Sequence, residues 1–363
     1  MNILIFIIIL FVLVMVHEFG HFYSAKKFGI RVDEFGFGFP PKLFGKRYGE
    51  TEYTLNALPF GGFVKIFGEN PDDENTKGPD SARSFVNKPK WQQAIVLVAG
   101  IFANFVLAWV LFSFGFMFGL PTSVSSNTGY EVKDINLVVI SVSHDSPAEK
   151  AGLKTGDKIV SIKSGELSTT FISPETVKSF VANSGKDGIQ MTYMRGLESK
   201  DITVIPEKSE ADSKPVIGIA MDQIGIVKLP FFKAFKEGMV FTWSVTKGTV
   251  SGLYGLIADG FKGKGSFEGV AGPVGLVGIV GDASKFGFAY LMSFTALISI
   301  NLAVINIIPF PALDGGRLFF LLIEKIKGSR MSPNVANMAN MVGFGILIVL
   351  MLWVTYHDVA KLF

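Results

Sequence analysis

The sequence contains no cysteine. Disulfides and thiolate metal ligands are therefore closed to it, and any metal must be held by His, Asp or Glu. Histidine itself is scarce, with four in 363 residues. Charge is thin as well: Asp, Glu, Lys and Arg make up 18% of the chain and the formal net charge is only +3. No basic tract interleaved with aromatic residues is present, which argues against nucleic acid as a partner. What fills the space is apolar. Hydrophobic residues reach 49%, phenylalanine alone contributes 35 residues, and the mean hydropathy is +0.41. A soluble domain seldom averages so high, so the composition points to a membrane protein.

Four segments are long and apolar enough to cross a bilayer, which takes about 20 helical residues. They lie at about 2–25, 94–120, 288–308 and 338–356. The first lacks the charged leader and small-residue cleavage site of a secretory signal, so it reads as a retained span. Residues 1–127 then form an N-terminal membrane part and 288–363 a C-terminal one. Residues 128–207 are charged and only moderately apolar. INLVVISV alternates as a strand does, SPAEKAGL reads as a short helix closed by Gly152, and PETVKSFVANS reads as an amphipathic helix with Pro174 at its start. About 80 residues suffice for one small core.

Two stretches leave alternatives open. YTLNALPFGGFVKIFGE reads as two short strands around a Pro59–Gly62 turn. This hairpin either dips into a cavity of the membrane part, where protein satisfies its backbone, or lies outside the bilayer. Within 208–287, the aromatic residues and lysines of FFKAFKEGMVFTWSVTKGTV suit an interfacial helix, although a fifth span is the alternative. Lys and Arg concentrate in 26–93 and again in KIKGSR. Both loops should be cytoplasmic, which puts residues 128–207 on the other side.

The chemistry sits at the end of the first span, in HEFGH. His17 and His21 are four residues apart and share one helix face. That spacing lets both imidazoles reach one Zn²⁺ while Glu18 stands beside it as general base. Ionisable side chains at membrane depth cost several kcal/mol unless they are paired, so three together point to function. A catalytic zinc needs a third protein ligand. His144 lies in the soluble-looking module and His357 at the far end of the last span, whereas Asp314 of NIIPFPALDGG falls on the same side as HEFGH. Asp314 is the best third ligand on order and depth. Pro309 and Pro311 break the third span ahead of it, Gly315 and Gly316 are expected to keep its surroundings open, and Asn306 offers an uncharged donor and acceptor nearby.

HEFGH closing the first span, an NxxPxPxLDGG segment after the third, and one PDZ-like module between spans resemble the site-2 protease family, in its regulator of sigma-E protease branch. GIFANF (100–105) and GVAGPVGLVGI (269–279) are similar to family segments too. The resemblance implies a polytopic α-helical membrane protein with about four transmembrane helices, a membrane-reentrant β-hairpin over 53–69, and an inserted α+β PDZ-like domain. It implies an intramembrane zinc metalloendopeptidase. Zn²⁺ would be held by His17, His21 and Asp314, Glu18 would be the catalytic base, and Asn306 would contact the substrate strand, with Gly61, Gly62 and Phe63 taken as further substrate contacts in the hairpin. Single-span, pre-trimmed transmembrane proteins would be the substrates, such as anti-sigma factors or remnant signal peptides. The place would be a bacterial inner membrane, with the PDZ-like domain extracytoplasmic and the active site near the cytoplasmic side. The PDZ-like domain would either bind new C-termini or, the preferred reading, exclude bulky substrates. The competing function is a non-enzymatic membrane scaffold whose PDZ-like module binds peptide tails.

Overall fold

The computed structural model describes residues 2–70, 73–124, 130–184, 188–196, 198–208, 214–262, 272–285 and 287–360. The chain divides into two compact units, one formed by residues 1–115 and 231–363, the other by residues 116–230.

In the first unit, helix α1 (Asn2–Lys27) takes up the whole apolar run together with HEFGH. No Gly or Pro interrupts residues 2–16, and in lipid a helix is the form that satisfies every backbone group within one segment. It ends where the Ile30 N–H bonds the Ala25 carbonyl and the Gly29 N–H bonds the Lys26 carbonyl. Gly29 takes φ +67° there, and Ile30 is buried beneath the turn. This is the left-handed glycine cap with its apolar contact.

Strands β1 (Val32–Tyr48) and β2 (Thr51–Ile66) follow, joined at Gly49 and Glu50. Their register divides them into four arms. Residues 42–48 pair with 51–56, while residues 34–37 lie between two parts of β2, with 52–55 on one side and 62–65 on the other. The expectation of a hairpin turning at Pro59–Gly62 is therefore corrected, because the two arms flanking that bend pair with β1 and not with each other. The glycines of FGFGF make the insertion possible. A Cβ on Gly36 would sit 2.6 Å from the Phe63 ring and 2.9 Å from Thr54 Oγ1. After the short helix α2 (Asp73–Lys77), α3 (Lys90–Phe118) forms the second long apolar helix.

The second unit holds a sheet of β3 (Leu120–Ser123), β4 (Lys133–Val142), β5 (Lys158–Ser164), β6 (Leu167–Thr169), β7 (Ile189–Arg195), β8 (Glu198–Val204) and β11 (Ile219–Val227). The strand order is β3-β11-β4-β5-β7-β8, with β6 on β5. A separate pair is made by β9 (Glu207–Lys208) and β10 (Pro215–Val216). Helices α4 (Pro147–Lys150) and α5 (Pro174–Asn183) begin with serine caps, Ser146 and Ser173, each accepting a backbone N–H. Leu137, Val139, Ile159, Ile162, Val177 and Met191 are among the side chains of its apolar core. The unit is wider than the expected 128–207. Strand β11 closes the sheet between β3 and β4, and Ile217 enters the core.

Returning to the first unit, residues 231–261 form one helix, α6 (Phe231–Phe261), followed by α7 (Pro273–Lys285), α8 (Phe288–Ile307), α9 (Asp314–Lys327) and α10 (Pro333–Ala360). Residues 269–271 of the GVAGPVGLVGI segment lie outside the described residues, and the rest opens α7. Among the described residues, four helices are long and apolar enough to span a membrane: α1, α3, α8 and α10. Helix α6 carries Lys233, Lys236, Glu237 and Lys247 and is not one of them. It packs on α3, where Trp109 Nε1 donates to the Phe235 carbonyl at 2.9 Å. Ile9 and Leu13 of α1, Val280 of α7 and Leu291 of α8 share an apolar cluster that packs these helices together along the part of α1 ahead of HEFGH.

Candidate metal centre

The HEFGH turn lies where α1 crosses α3, and the crossing is close because both helices present glycine. A Cβ on Gly20 would stand 2.3 Å from the Ala99 carbonyl oxygen, and one on Gly100 would stand 2.2 Å from His21 Nε2. Small residues at such a crossing let backbones approach. Here the space gained is occupied by imidazole. His17 and His21 are both buried, with rings 4.8 Å apart and edge to face.

Asp314 reaches them from the other end of the chain. Helix α8 stops at Ile307, the PFPAL segment folds back with Ala312 at φ +75°, and α9 begins on Asp314. The glycines after it act differently from expectation. They do not keep space open. A Cβ on Gly315 would fall 2.3 Å from the Ile308 carbonyl oxygen, and one on Gly316 2.1 Å from that of Phe310. They let α9 start hard against the chain that has just reversed, which carries Asp314 inward. Asn340 of α10 holds that reversal by accepting the Ala312 N–H at 3.2 Å. Leu313, not Asp314, occupies the capping position of α9, so the Asp314 carboxylate is free to face the histidines.

The three side chains converge. His17 Nε2 lies 3.2 Å from Asp314 Oδ2, His21 Nε2 lies 3.3 Å from the same oxygen, and the two Nε2 atoms are 3.2 Å apart. A tetrahedral zinc with bonds of about 2.0–2.1 Å separates its ligands by about 3.3–3.4 Å, since the edge of a tetrahedron is about 1.63 times the centre-to-vertex distance. The triangle thus has the edge of one face of that tetrahedron. Asp314 Oδ2 is also buried without a conventional hydrogen-bond partner, an arrangement that neutral surroundings disfavour and a bound cation favours. His21 Nδ1 lies 2.8 Å from the Val96 carbonyl oxygen. That acceptor puts the ring hydrogen on Nδ1 and leaves the Nε2 lone pair facing Asp314. The donor set fits a divalent zinc.

Glu18 is adjacent. Its carboxylate is within electrostatic range of both histidines and Asp314 and meets the backbone of Val64 in β2. The 62–66 arm runs along α1: a Cβ on Gly62 would lie 3.2 Å from Val14 Cγ1 and 3.6 Å from Met15 Sδ. Gly61, at φ +87°, sits under the Phe39 ring, and Phe63 covers Gly36. Asn306 occupies the last turn of α8 and is half-buried. The other two histidines are elsewhere. His144 groups with Asp145 and Glu149 on an exposed surface, and His357 stacks on Trp353.

Residue chemistry and spacing along the chain assign no role to three groups near the centre. Asn104 stands beside His17, Gly100 makes room for His21, and Arg317, one turn after Asp314, pairs with Glu69, three residues past the end of β2. Asn104 alone carries a signal, as a polar residue inside an uncharged span.

The model of peptidase family M50 matches residues 5–350. A protein of Clostridium acetobutylicum is 34% identical over 362 residues, covering 99% of this chain and 97% of that protein. The zinc metalloprotease RasP of Geobacillus kaustophilus is 30% identical over 440 aligned residues, with 100% and 98% covered. The regulator of sigma-W protease RasP of Bacillus subtilis is 29% identical, with 99% and 98% covered. With a match that runs through both halves of the metal centre and the module between them, the chain belongs to peptidase family M50.

Proposed function

We propose that this chain is an intramembrane zinc endopeptidase in which His17, His21 and Asp314 hold the metal and Glu18 is the catalytic base. The observation that carries the reading is the triangle of donor atoms with edges of 3.2–3.3 Å at the end of an apolar helix. Family membership and the zinc metalloprotease names of the relatives support it.

Zinc, when bound, acts as a Lewis acid on a carbonyl oxygen and makes water more acidic. Glu18 takes a proton from the attacking water and returns it to the leaving amide nitrogen. The C–O bond forms first, and the C–N bond breaks once the nitrogen has received its proton, giving a carboxylate and an amine. The hydrophobic wall around the site keeps the charges strongly coupled, since the local dielectric is low.

A substrate helix hides its amides in its own hydrogen bonds and must unwind to be cut. The reading gives that task to the sheet of β1 and β2. The 62–66 arm passes beside Glu18, and an extended peptide added to it would lie within reach of the base. Asn306 would orient the backbone near the scissile bond. Single-span membrane proteins, already trimmed, are the substrates in this reading, and the 116–230 module excludes bulkier ones. In this reading the site lies near the cytoplasmic side of a bacterial inner membrane and the module outside, which the Lys and Arg of 26–93 and of the KIKGSR loop support.

The test is cleavage of a single-span membrane peptide by detergent-purified protein, beside its zinc content. Glu18→Gln should retain zinc and lose about 10²–10⁴-fold in rate, the span of general acid–base catalysis. A fully active Glu18→Gln protein would overturn Glu18 as the base, and wild-type protein with neither zinc nor cleavage would return the chain to a scaffold role. Phe63→Pro, which removes an N–H from the arm, should slow cleavage while leaving zinc bound.

A further inference from the structure

We propose that Asn104 is the positioning residue that selects which nitrogen of His17 carries hydrogen, and so makes His17 Nε2 available as a metal ligand. The inference rests on the reading of His17 as a ligand. An imidazole ligates through a lone pair, so the ring hydrogen must occupy the other nitrogen. For His21 the Val96 carbonyl settles this, because a carbonyl can only accept. His17 has a different neighbour. Its Nδ1 lies 3.3 Å from the side-chain nitrogen of Asn104, and the Asn104 Oδ1 is buried without a hydrogen-bond partner.

Asn104 is 0% exposed, lies on α3 one helical turn beyond Gly100, and its own backbone carbonyl accepts the Ser299 hydroxyl of α8 at 2.8 Å. The backbone at this point is thus tied to a second helix, and the carboxamide retains one useful freedom, a half-turn about its last bond. The two ends of that group are nearly the same shape but opposite in kind. With the NH₂ end towards His17, Nδ1 accepts and the ring hydrogen sits on Nε2, aimed at Asp314 Oδ2 at 3.2 Å. Such a ring is a donor to Asp314 and cannot ligate. With the oxygen end towards His17, Nδ1–H donates to Oδ1 and Nε2 presents its lone pair. The hydrogen changes nitrogen with no net gain or loss of a proton. One residue therefore serves a hydrogen-bonded and a ligating His17 with the same packing, which a fixed carbonyl could not do.

The experiment measures zinc affinity by competition with a chromogenic chelator on full-length protein in detergent, and records the d–d absorption of the cobalt-substituted protein. Neither readout requires turnover. Asn104→Leu keeps the bulk and removes the acceptor, so zinc should bind about 10–100-fold more weakly, the usual loss when a ligand's outer partner is removed, and the cobalt spectrum should shift. Asn104→Asp offers an acceptor at either end and should bind zinc as tightly as wild type or tighter. A folded Asn104→Leu protein with wild-type zinc affinity overturns the proposal, as does an Asn104→Asp protein that loses as much as the Leu variant. Should the Leu variant not fold, Asn104→Ala against Asn104→Asp decides in the same way. His17→Ala runs alongside. If it abolishes zinc binding while Asn104→Leu changes nothing, only the positioning role fails; if it leaves zinc affinity intact, the reading of His17 as a ligand fails as well.

Discussion

The two units of this chain are built on opposite rules. The 116–230 unit has an interior of Leu137, Val139, Ile159, Ile162, Val177, Ile189 and Met191, and the charge it does bury, Asp157, is paired with Arg195. The unit of residues 1–115 and 231–363 exposes Ile3, Leu4, Ile8, Phe344, Leu350 and Leu352 and buries His17, His21, Ser24, Asn104, Ser113, Thr242 and Ser299. Water drives apolar side chains inward in the first case. Lipid is as apolar as leucine and supplies no such drive, so in the second the interior is organised by small-residue packing and hydrogen bonds. Polar groups that lipid rejects are collected inside, and the candidate metal centre of His17, His21 and Asp314 is assembled from them.

The comparison is most exposed to a change at the crossing itself. Gly100→Val places a branched side chain on His21 Nε2, where even a Cβ would lie at 2.2 Å. Zinc binding should be lost while the 116–230 unit still melts as in wild type; a zinc-replete Gly100→Val protein would show that the crossing is looser than argued. Next in size is a pair of truncations. Leu137→Ala in the 116–230 core should lower stability by about 2–5 kcal/mol through transfer and cavity terms, whereas Phe344→Ala on the lipid side of α10 should change unfolding in detergent by well under that. Equal costs for the two would end the distinction. Ser299→Ala removes the hydroxyl that bonds the Asn104 carbonyl. About 0.6 kcal/mol is the expected loss, the typical value for one hydrogen bond between membrane helices, read from the unfolding midpoint in detergent.

A comparably small effect, confined to neutral pH, belongs to Glu50 near the end of α1. Glu50 accepts from Lys26 at 2.6 Å and from Arg83 at 2.7 Å. The Lys26 hydrogen bond holds its carboxyl below the ordinary carboxylate range, partial burial opposes this, and Arg83 adds to the lowering. A lowered folded-state value means the contribution is present above the unfolded value, near 4.5, and fades as pH falls through the folded one. Glu50→Gln should therefore cost no more than about 1 kcal/mol at neutral pH, as partly exposed pairs do, and nothing once pH is well below 4. A mutant whose deficit persisted in acid would mean the carboxylate acts by shape, not charge.

Much of this architecture is legible along the chain. HEFGH at the end of an apolar run marks the candidate metal site because imidazoles and a carboxylate are too costly at that depth to be incidental. Apolar runs of about 20 residues mark the spans, and Ser173 followed by Pro174 marks the start of α5. The β1–β2 arrangement is not legible. PFGG reads locally as a turn, and nothing local tells that FGFGF will lie between the two segments it joins. The module boundary is hidden for the same reason: IAMDQIGIV is separated by about 77 residues from its partner strand β4, and pairing over such a distance leaves no local pattern.

The sequence by itself determined that this chain lives in lipid, that it carries an HExxH helix end, and that Asp314 was available as a third ligand, because hydropathy, spacing and residue chemistry are properties of neighbours along the chain. Only the tertiary structure decided that Gly20 and Gly100 let two helices close on the histidines, that Gly315 and Gly316 turn Asp314 onto them, and that Asn104 stands behind His17. Those are contacts between segments up to about 300 residues apart, and close approach in three dimensions has no signature in one.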